Sequence, residues 1–316
     1  MQKGAKIYVA GHRGLVGSAL VRKLEAEGYM NLVLRTKSEL DLRRQEHVER
    51  FFESEKPEYV FLAAAKVGGI LANSAYPGQF IYENLAIQSN ILESARAQGV
   101  KKLLFLGSSC IYPRDCPQPI HEEYLLTGPL EKTNEAYAVA KIAGIKMCQA
   151  YRAQYGCNYI SVMPANLYGP NDNYDLQNSH VIPALIRKFH EAKVNGEPFV
   201  TLWGTGSPRR EFLHVDDLAD ACIFLMNHYE DGEIINIGTG EDLEIRKLAE
   251  IVKRSIGFKG KINWDATKPD GTLRKLLCVD RLHRAGWYHR ISLEEGIFTT
   301  YRDFLEKTRA GALSKR

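Results

Sequence analysis

Residues 11–17 read Gly-His-Arg-Gly-Leu-Val-Gly, directly after an apolar run, Ile7–Ala10, and at the start of a helical pattern, Leu15–Glu27. Gly11, Gly14 and Gly17 permit a tight turn and a close approach of backbone to a ligand. A helix that starts there offers free N–H groups and the positive end of its dipole, the setting for a pyrophosphate. A lone glycine pattern would be weak, but strand, turn and helix in this order need a parallel sheet around them.

The rest of the first half supplies that sheet. Leu32–Leu34, Tyr59–Ala63, Leu103–Leu106 and Tyr159–Met163 read as strands. Gln45–Ser54, Phe80–Ala97 and Ala136–Tyr155 read as helices between them. Apolar strands alternating with helices predict an α/β fold: a Rossmann doubly wound parallel sheet covered on both faces. With 316 residues, 45% of them hydrophobic, the chain can bury a large core in one big domain or two fused ones. The regularity breaks after Pro170: residues 171–178 are polar and loop-like, and glycine-bearing turns then separate shorter pieces. Phe212–Val215 and Ile234–Ile237 read as further strands, and Val181–Phe189 as an apolar helix. The division expected is a dinucleotide domain over 1–170, with 212–237 returning to it. Residues 171–211 and 238–316 then form a smaller C-terminal substrate-binding lobe. The basic tail Lys307–Arg316 is expected to be frayed and solvated.

Composition excludes several classes. The net charge of +4 is small for this length and argues against a nucleic-acid binder. No apolar run approaches the roughly 18–20 residues of a membrane helix. The cysteines at 110, 116, 148, 157, 222 and 278 form no C-x-x-C pair, so no metal site is expected and the thiols read as reduced. With a strand already at Lys6–Ala10, no room is left for a leader, and the reading is cytoplasmic.

The second strand ends Leu34-Arg35-Thr36-Lys37, without the carboxylate that takes the ribose 2′-hydroxyl in NAD sites. Arg13, Arg35 and Lys37 suit a 2′-phosphate instead, which points to NADP(H). The bland alternative is that these are solvated surface cations.

Tyr137 and Lys141 lie four apart in a helical stretch and share a face. Ser108 follows the strand Leu103–Leu106, at the sheet edge where such folds bind ligands. A phenol titrates near ~10, too high for easy proton exchange at neutrality, and a nearby ammonium lowers it. Ser108 can then hydrogen-bond a carbonyl oxygen while Tyr137 delivers a proton and a nicotinamide supplies hydride.

Taken together these motifs resemble the extended short-chain dehydrogenase/reductases that modify sugar nucleotides. Pro164–Pro170 (P-A-N-L-Y-G-P) and Arg210–Asp217 (R-E-F-L-H-V-D-D) fit that group. The glycine loop, Ala63–Ile70 (A-A-A-K-V-G-G-I), Gly107–Pro113 (G-S-S-C-I-Y-P), Asn178–Pro183 (N-S-H-V-I-P) and Lys268–Gly271 (K-P-D-G) resemble the GDP-L-fucose synthase family, from Lys6 to about Phe304.

The resemblance implies a substrate, GDP-4-keto-6-deoxy-D-mannose, whose C3 and C5 are inverted before the C4 ketone is reduced. A ketone at C4 acidifies the hydrogens at C3 and C5, so inversion needs a base on one face and an acid on the other. Cysteine and histidine titrate near ~8.5 and ~6.5, and the resemblance implies Cys110 as base and His180 as acid. Without it, Cys110 reads as a small buried hydrophobe and His180 as a solvated or capping residue. Implied cofactor contacts are Gly11 to Gly17 (with His12, Leu15 and Val16), Arg35, Lys37, Leu106, Gly107, Ser109, Lys141, Pro164, Ala165, Asn166, Leu167 and His180. Implied substrate contacts are Lys188, Trp203, Arg210 and Asp270; Trp203 also reads as a core aromatic. A homodimer through the 80–97 and 136–155 helices is a further implication. Rivals within the fold are a 4,6-dehydratase, disfavoured by Ser109 and Cys110 where it has acids, and a 4-epimerase, disfavoured by Arg35. A non-catalytic NADP-sensing protein would typically lack Tyr137 or Lys141.

Overall fold

The computed structural model describes residues 1–176, 178–268 and 270–311. In the first half the elements are β1 (Ile7–Ala10), α1 (Leu15–Ala26), β2 (Leu32–Val33), α2 (Gln45–Glu55), β3 (Tyr59–Leu62), α3 (Ile70–Ala75), α4 (Pro77–Ala97), β4 (Lys102–Leu106), α5 (Glu135–Tyr155) and β5 (Tyr159–Pro164). The second half adds β6 (Asn166–Tyr168), α6 (Val181–Val194), β7 (Phe199–Trp203), β8 (Arg209–Arg210), β9 (Phe212–His214), α7 (Val215–His228) and β10 (Ile235–Ile237). It closes with β11 (Leu243–Glu244), α8 (Ile245–Ile256), β12 (Lys261–Asp265), β13 (Arg274–Lys275), α9 (Asp280–Arg284) and α10 (Leu293–Arg309).

Six parallel strands form the main sheet in the order β10-β5-β4-β3-β1-β2. Every residue of β1, β4 and β5 is buried, Lys102 and Ser161 included, as predominantly apolar strands require when both faces are covered. Helices α2, α4 and α5 pack together on one face, and α1 and α7 on the other. The chain leaves β1 for β2 on one side and returns to β3 on the other. That topological switch point opens a crevice at the carboxyl ends of β1 and β3. A second hydrophobic cluster joins α6, α8 and α10 with β7 and β9, around Phe189, Leu248 and Ile297. Of residues 212–237, β10 joins the main sheet and α7 covers it, whereas β9 pairs with β6.

Several boundaries differ from those read in the sequence. α4 begins at Pro77, not Phe80, because proline is accommodated in a first turn. Strands β7 and β12, parallel partners of each other, carry no sharp period in the sequence. The tail also differs: Lys307 belongs to α10 and its ammonium donates to Asp303 and Asn171, at 2.8 and 3.2 Å, rather than lying free in solvent. Pro269 of the Lys-Pro-Asp-Gly motif and residues 312–316 lie outside the described residues. Among the described residues all cysteines are free thiols, and no helix is long and apolar enough to cross a membrane.

Candidate active site

The glycine loop has the shape its sequence demands. Gly11 has φ +84°, and a Cβ there would meet the Ala64 backbone at 2.9 Å. A Cβ on Gly17 would stand 2.1 Å from the Gly11 carbonyl oxygen. Gly14 caps α1 without any side-chain hydrogen bond, so the first-turn N–H groups face the crevice uncapped by the protein. Beside them the buried Nδ1 of His12 has no partner. Arg13 and Lys37 are exposed. This cradle fits a dinucleotide: small where the backbone must approach, rich in donors, flanked by cations.

One expected phosphate ligand is otherwise engaged. The Arg35 guanidinium pairs with Glu55, donates to the Leu34 carbonyl and lies over the Phe51 ring. Nearby Glu39, absent from the sequence reading, accepts from the Thr36 N–H and hydroxyl, both at 2.7 Å. The loop also meets the second half of the chain. Asn171, at φ +71°, donates to the Arg13 carbonyl at 2.8 Å, and its own N–H donates to Asp303.

At the end of β4, Gly107 is pressed against β5; a Cβ would lie 2.4 Å from the Met163 sulfur. Ser108 and Ser109 follow, and the Ser108 hydroxyl accepts from the Cys110 N–H at 3.3 Å, capping one 3-10 turn, Ser109–Ile111. α5 supplies Tyr137 and Lys141. Its small residues let it come close: a Cβ on Gly144 would stand 2.4 Å from Phe105 of β4. The Lys141 ammonium is buried, donates to the Leu106 carbonyl at 2.7 Å and lies 5.8 Å from the Tyr137 ring centre. The Tyr137 ring meets Phe80 edge-on.

Electrostatics here are governed by burial. Loss of water lowers the Lys141 amine to about 8. It raises the Tyr137 phenol, with Cys110 adding to the rise and a hydrogen bond with Ser108 opposing it. Lys141 was expected to bring the phenol down; in this state burial wins, since the ammonium is turned to the Leu106 carbonyl. The buried Cys110 thiol is likewise raised by burial, against the pull of Lys275, a hydrogen bond with Ser108, and Lys141. Ser108, Cys110, Tyr137 and Lys141 are thus one cluster.

His180 comes from another element. It is the N-cap of α6, and its loop lies on the Gly68–Gly69 turn, where the Gly69 N–H donates to the Asn178 carbonyl at 3.2 Å. The residue as a whole is exposed, yet loss of water around the imidazole lowers its pKa. It is therefore a stronger acid when protonated, and mostly neutral at pH 7. Among the described residues no hydrogen bond joins His180 to the cluster. Pro164 to Leu167 line the same sheet edge: the Ala165 N–H donates to the Ile237 carbonyl at 2.9 Å, and the Asn166 amide to the Glu211 carbonyl at 2.8 Å.

The expected substrate residues spread across the second half of the chain. Lys188 on α6 and Arg210 on β8 are half-buried, and burial lowers both pKa values. Trp203 ends β7 with 57% of its surface exposed, which overturns the core reading; the Lys268 ammonium sits 5.8 Å over its ring. The Asp270 carboxylate already accepts from the Thr205 N–H and hydroxyl, at 2.7 and 2.8 Å, tying two loops together. Sequence reasoning missed Lys275 and Glu211. Buried Glu211 accepts from the N–H groups of Thr239, Gly240 and Leu277 at 2.7–2.9 Å, and burial pushes it up to about 7 against those bonds. Glu211 directly follows Arg210, which the sequence did flag, and Lys275 lies four residues beyond the Lys-Pro-Asp-Gly motif.

Comparison with known proteins agrees with this geometry. The profile of the NAD dependent epimerase/dehydratase family matches residues 7–238. A curated relative, GDP-L-fucose synthase 1 of Arabidopsis thaliana, is 64% identical over 304 residues, covering 96% of this chain and 94% of that protein. GDP-L-fucose synthase of Escherichia coli K12 is 56% identical, covering 95% and 97%. Among solved structures, GDP-mannoheptose C4 reductase from Campylobacter jejuni with NADP bound superimposes with TM-score 0.91 at 43% identity, covering 96% of this chain and 99% of that one.

Proposed function

This chain belongs to the NAD dependent epimerase/dehydratase family, and from that premise we infer that it converts GDP-4-keto-6-deoxy-D-mannose to GDP-L-fucose. It inverts C3 and C5 and then reduces the C4 ketone with NADPH. The observation that carries the reading is one cluster, half-buried Ser108 and Tyr137 with buried Cys110 and Lys141, beside a glycine cradle of the kind a dinucleotide needs.

Each residue's part follows from its place. Gly11, Gly14 and Gly17 admit the pyrophosphate, and Arg13 and Lys37 meet the 2′-phosphate, with Arg35 a second partner once it leaves Glu55. Leu106, Gly107, Ser109 and Pro164 to Leu167 line the edge of the sheet along which the cofactor lies. Bound NADPH supplies the hydride for C4. The Cys110 thiolate takes a proton from C3 or C5; an S–H bond forms while the C–H electron pair moves into the C4 carbonyl, leaving an enolate. His180 returns a proton to the opposite face. Ser108 and Lys141 stabilise charge on the C4 oxygen, and Tyr137 protonates that oxygen during reduction. Lys188 and Arg210 take the diphosphate, Trp203 stacks on the guanine or sugar, and the spare acceptor capacity of Asp270 meets a guanine or ribose donor.

We also propose that residues 1–170 and 212–237 work as the dinucleotide unit and the remainder as the substrate lobe. The enzyme is a cytoplasmic homodimer through α4 and α5; the exposed Tyr82 and Val139 on those helices support this surface. The test of the function is incubation with GDP-4-keto-6-deoxy-D-mannose and NADPH, with the product identified by NMR. GDP-L-fucose supports it. A 6-deoxy sugar with unchanged C3 and C5 would leave a reductase only, and no NADPH consumption would overturn the reading.

A further inference from the structure

One side chain from the second half of the chain is bonded to the glycine loop. Asn171 follows Pro170 in the polar stretch after β6, and its backbone has φ +71°. That left-handed conformation is uncommon outside glycine, and asparagine tolerates it better than most residues. Such an outlier persists only where its surroundings hold it. The Asn171 N–H donates to the Asp303 carboxylate at 3.0 Å, and its amide oxygen accepts from the Lys307 ammonium at 3.2 Å. Asp303 and Lys307 lie one turn apart on α10 and are themselves paired at 2.8 Å. An ammonium can only donate, so it fixes which way the amide points, with the oxygen to Lys307 and the NH2 to the loop. The NH2 donates to the Arg13 carbonyl at 2.8 Å and to the Ser18 hydroxyl of α1 at 3.3 Å.

The Arg13 carbonyl and the Gly14 N–H belong to one planar peptide unit. The Gly14 N–H donates to the Gly11 carbonyl at 2.9 Å, closing a turn over His12 and Arg13. Asn171 holds the other end of the same unit. With both ends bonded, the plane cannot rotate, and rotation there would change the ψ of Arg13 and the φ of Gly14. Arg13 is exposed, and among the described residues it makes no ion pair, so the backbone alone sets the direction in which its side chain leaves the loop. We propose that Asn171 is a positioning residue for the cofactor: it fixes the Arg13–Gly14 peptide and thereby aims Arg13 at the 2′-phosphate of NADPH. Asn171 itself touches no reacting atom, and the proposal rests on Arg13 being a phosphate partner. A phosphate loop built locally by strand, turn and helix is thus completed from α10, some 290 residues further along the chain (Arg13 to Asp303).

The test uses the full chain with Asn171→Gly, which keeps the positive φ without strain, and Asn171→Asp, which keeps the shape and the Lys307 contact but replaces the donor with an acceptor. Dissociation constants for NADPH and NADH are read by fluorescence titration. Loss of one hydrogen bond that preorganises the loop corresponds to a roughly three- to tenfold change in affinity. Kd for NADPH should rise by that factor in both variants while Kd for NADH moves less than about twofold, so the preference narrows. Tyr174→Phe removes bonds from the same segment to the Thr300 carbonyl and Asp303 without touching the loop. It should lower Tm and leave the cofactor preference at the wild-type value. The proposal is overturned if NADPH affinity is unchanged in the Asn171 variants, if both cofactors weaken equally, or if Tyr174→Phe narrows the preference as much. If Arg13→Ala leaves the preference where wild type has it, the phosphate assignment of Arg13 fails instead.

Discussion

Replacing Lys141 with methionine keeps a side chain of similar length and removes its charge. Lys141 is 3% exposed, and burial brings its amine from 10.5 to about 8. Below about 8 both folded and unfolded chains carry the proton, and the folded state bears the cost of an ammonium out of water. Between about 8 and 10.5 the unfolded chain holds a proton that the folded chain does not, so stability rises with pH. The span of roughly 2.5 units, at about 1.4 kcal/mol each, makes a gain of about 3 kcal/mol. Lys141→Met has no such gain. At pH 7 the variant is relieved of the desolvation cost but loses the bond to the Leu106 carbonyl, which contributes about 1.5–3 kcal/mol. The two proteins should therefore be close in stability at pH 7. Wild type should then pull ahead by up to about 3 kcal/mol toward pH ~10. Urea unfolding followed by tryptophan fluorescence at a series of pH values measures this. A difference between the two that does not change with pH would refute the reasoning: the Leu106 carbonyl would then be keeping the amine charged throughout. In the same preparations Lys141→Met should fail to reduce the ketone, and wild-type reduction should weaken as pH rises through about 8.

Tyr137→Phe keeps the edge-on contact with Phe80 and loses only the proton, so reduction should fall about 10²–10⁴-fold with the fold and NADPH binding intact; a near-normal rate of NADPH consumption would remove Tyr137 as the donor. kcat/KM should favour NADPH over NADH, since a lost phosphate contact costs roughly 1.5–3 kcal/mol. Arg13→Ala and Lys37→Ala should narrow that ratio, and equal values for the two cofactors in wild type would contradict the assignment. Gly17→Ala puts a methyl group 2.1 Å from the Gly11 oxygen, so the loop must open and NADPH affinity collapse; unchanged affinity by fluorescence titration would show that the cradle is not the site.

Much of the fold was legible because its signals are local. β1 and the Leu103–Leu106 part of β4 are uninterrupted apolar runs, β5 is broken only by Ser161, and α5 ends where Gly156 takes φ +70°. The cluster around Tyr137 was legible for a related reason: Ser108 and Cys110 lie in one turn after a strand, and Tyr137 and Lys141 one turn apart on one helix. What stayed hidden depends on pairing between distant segments. Nothing near Arg35 in the sequence announces Glu55, which closes on it from the end of α2. Nor does Val33–Lys37 reveal that Glu39 folds back to bond Thr36.

Lys275 is the sharpest case. Arg209-Arg210 and Arg274-Lys275 are two pairs of adjacent cations, and composition alone gives no reason to separate the members of either. Which member faces away from Asp242 is decided by the register of β8 against β13, and a slip of one residue would exchange them. Asp242 favours the observed register, because it rewards only the arrangement that sends Arg209 and Arg274 to its own side. The carboxylate thus sorts the cations, drawing two of them away and leaving Arg210 and Lys275 without carboxylate partners on the other face. Asp242→Asn should accordingly weaken the sorting and disturb nucleotide-sugar binding, although the residue itself lies on the opposite side of the strands. A rise in KM with little change in kcat, and a fall in melting temperature, are the outcomes expected. An unchanged KM would mean that the register is held by Glu211 and the Ile120–Leu277 pairing without help from Asp242.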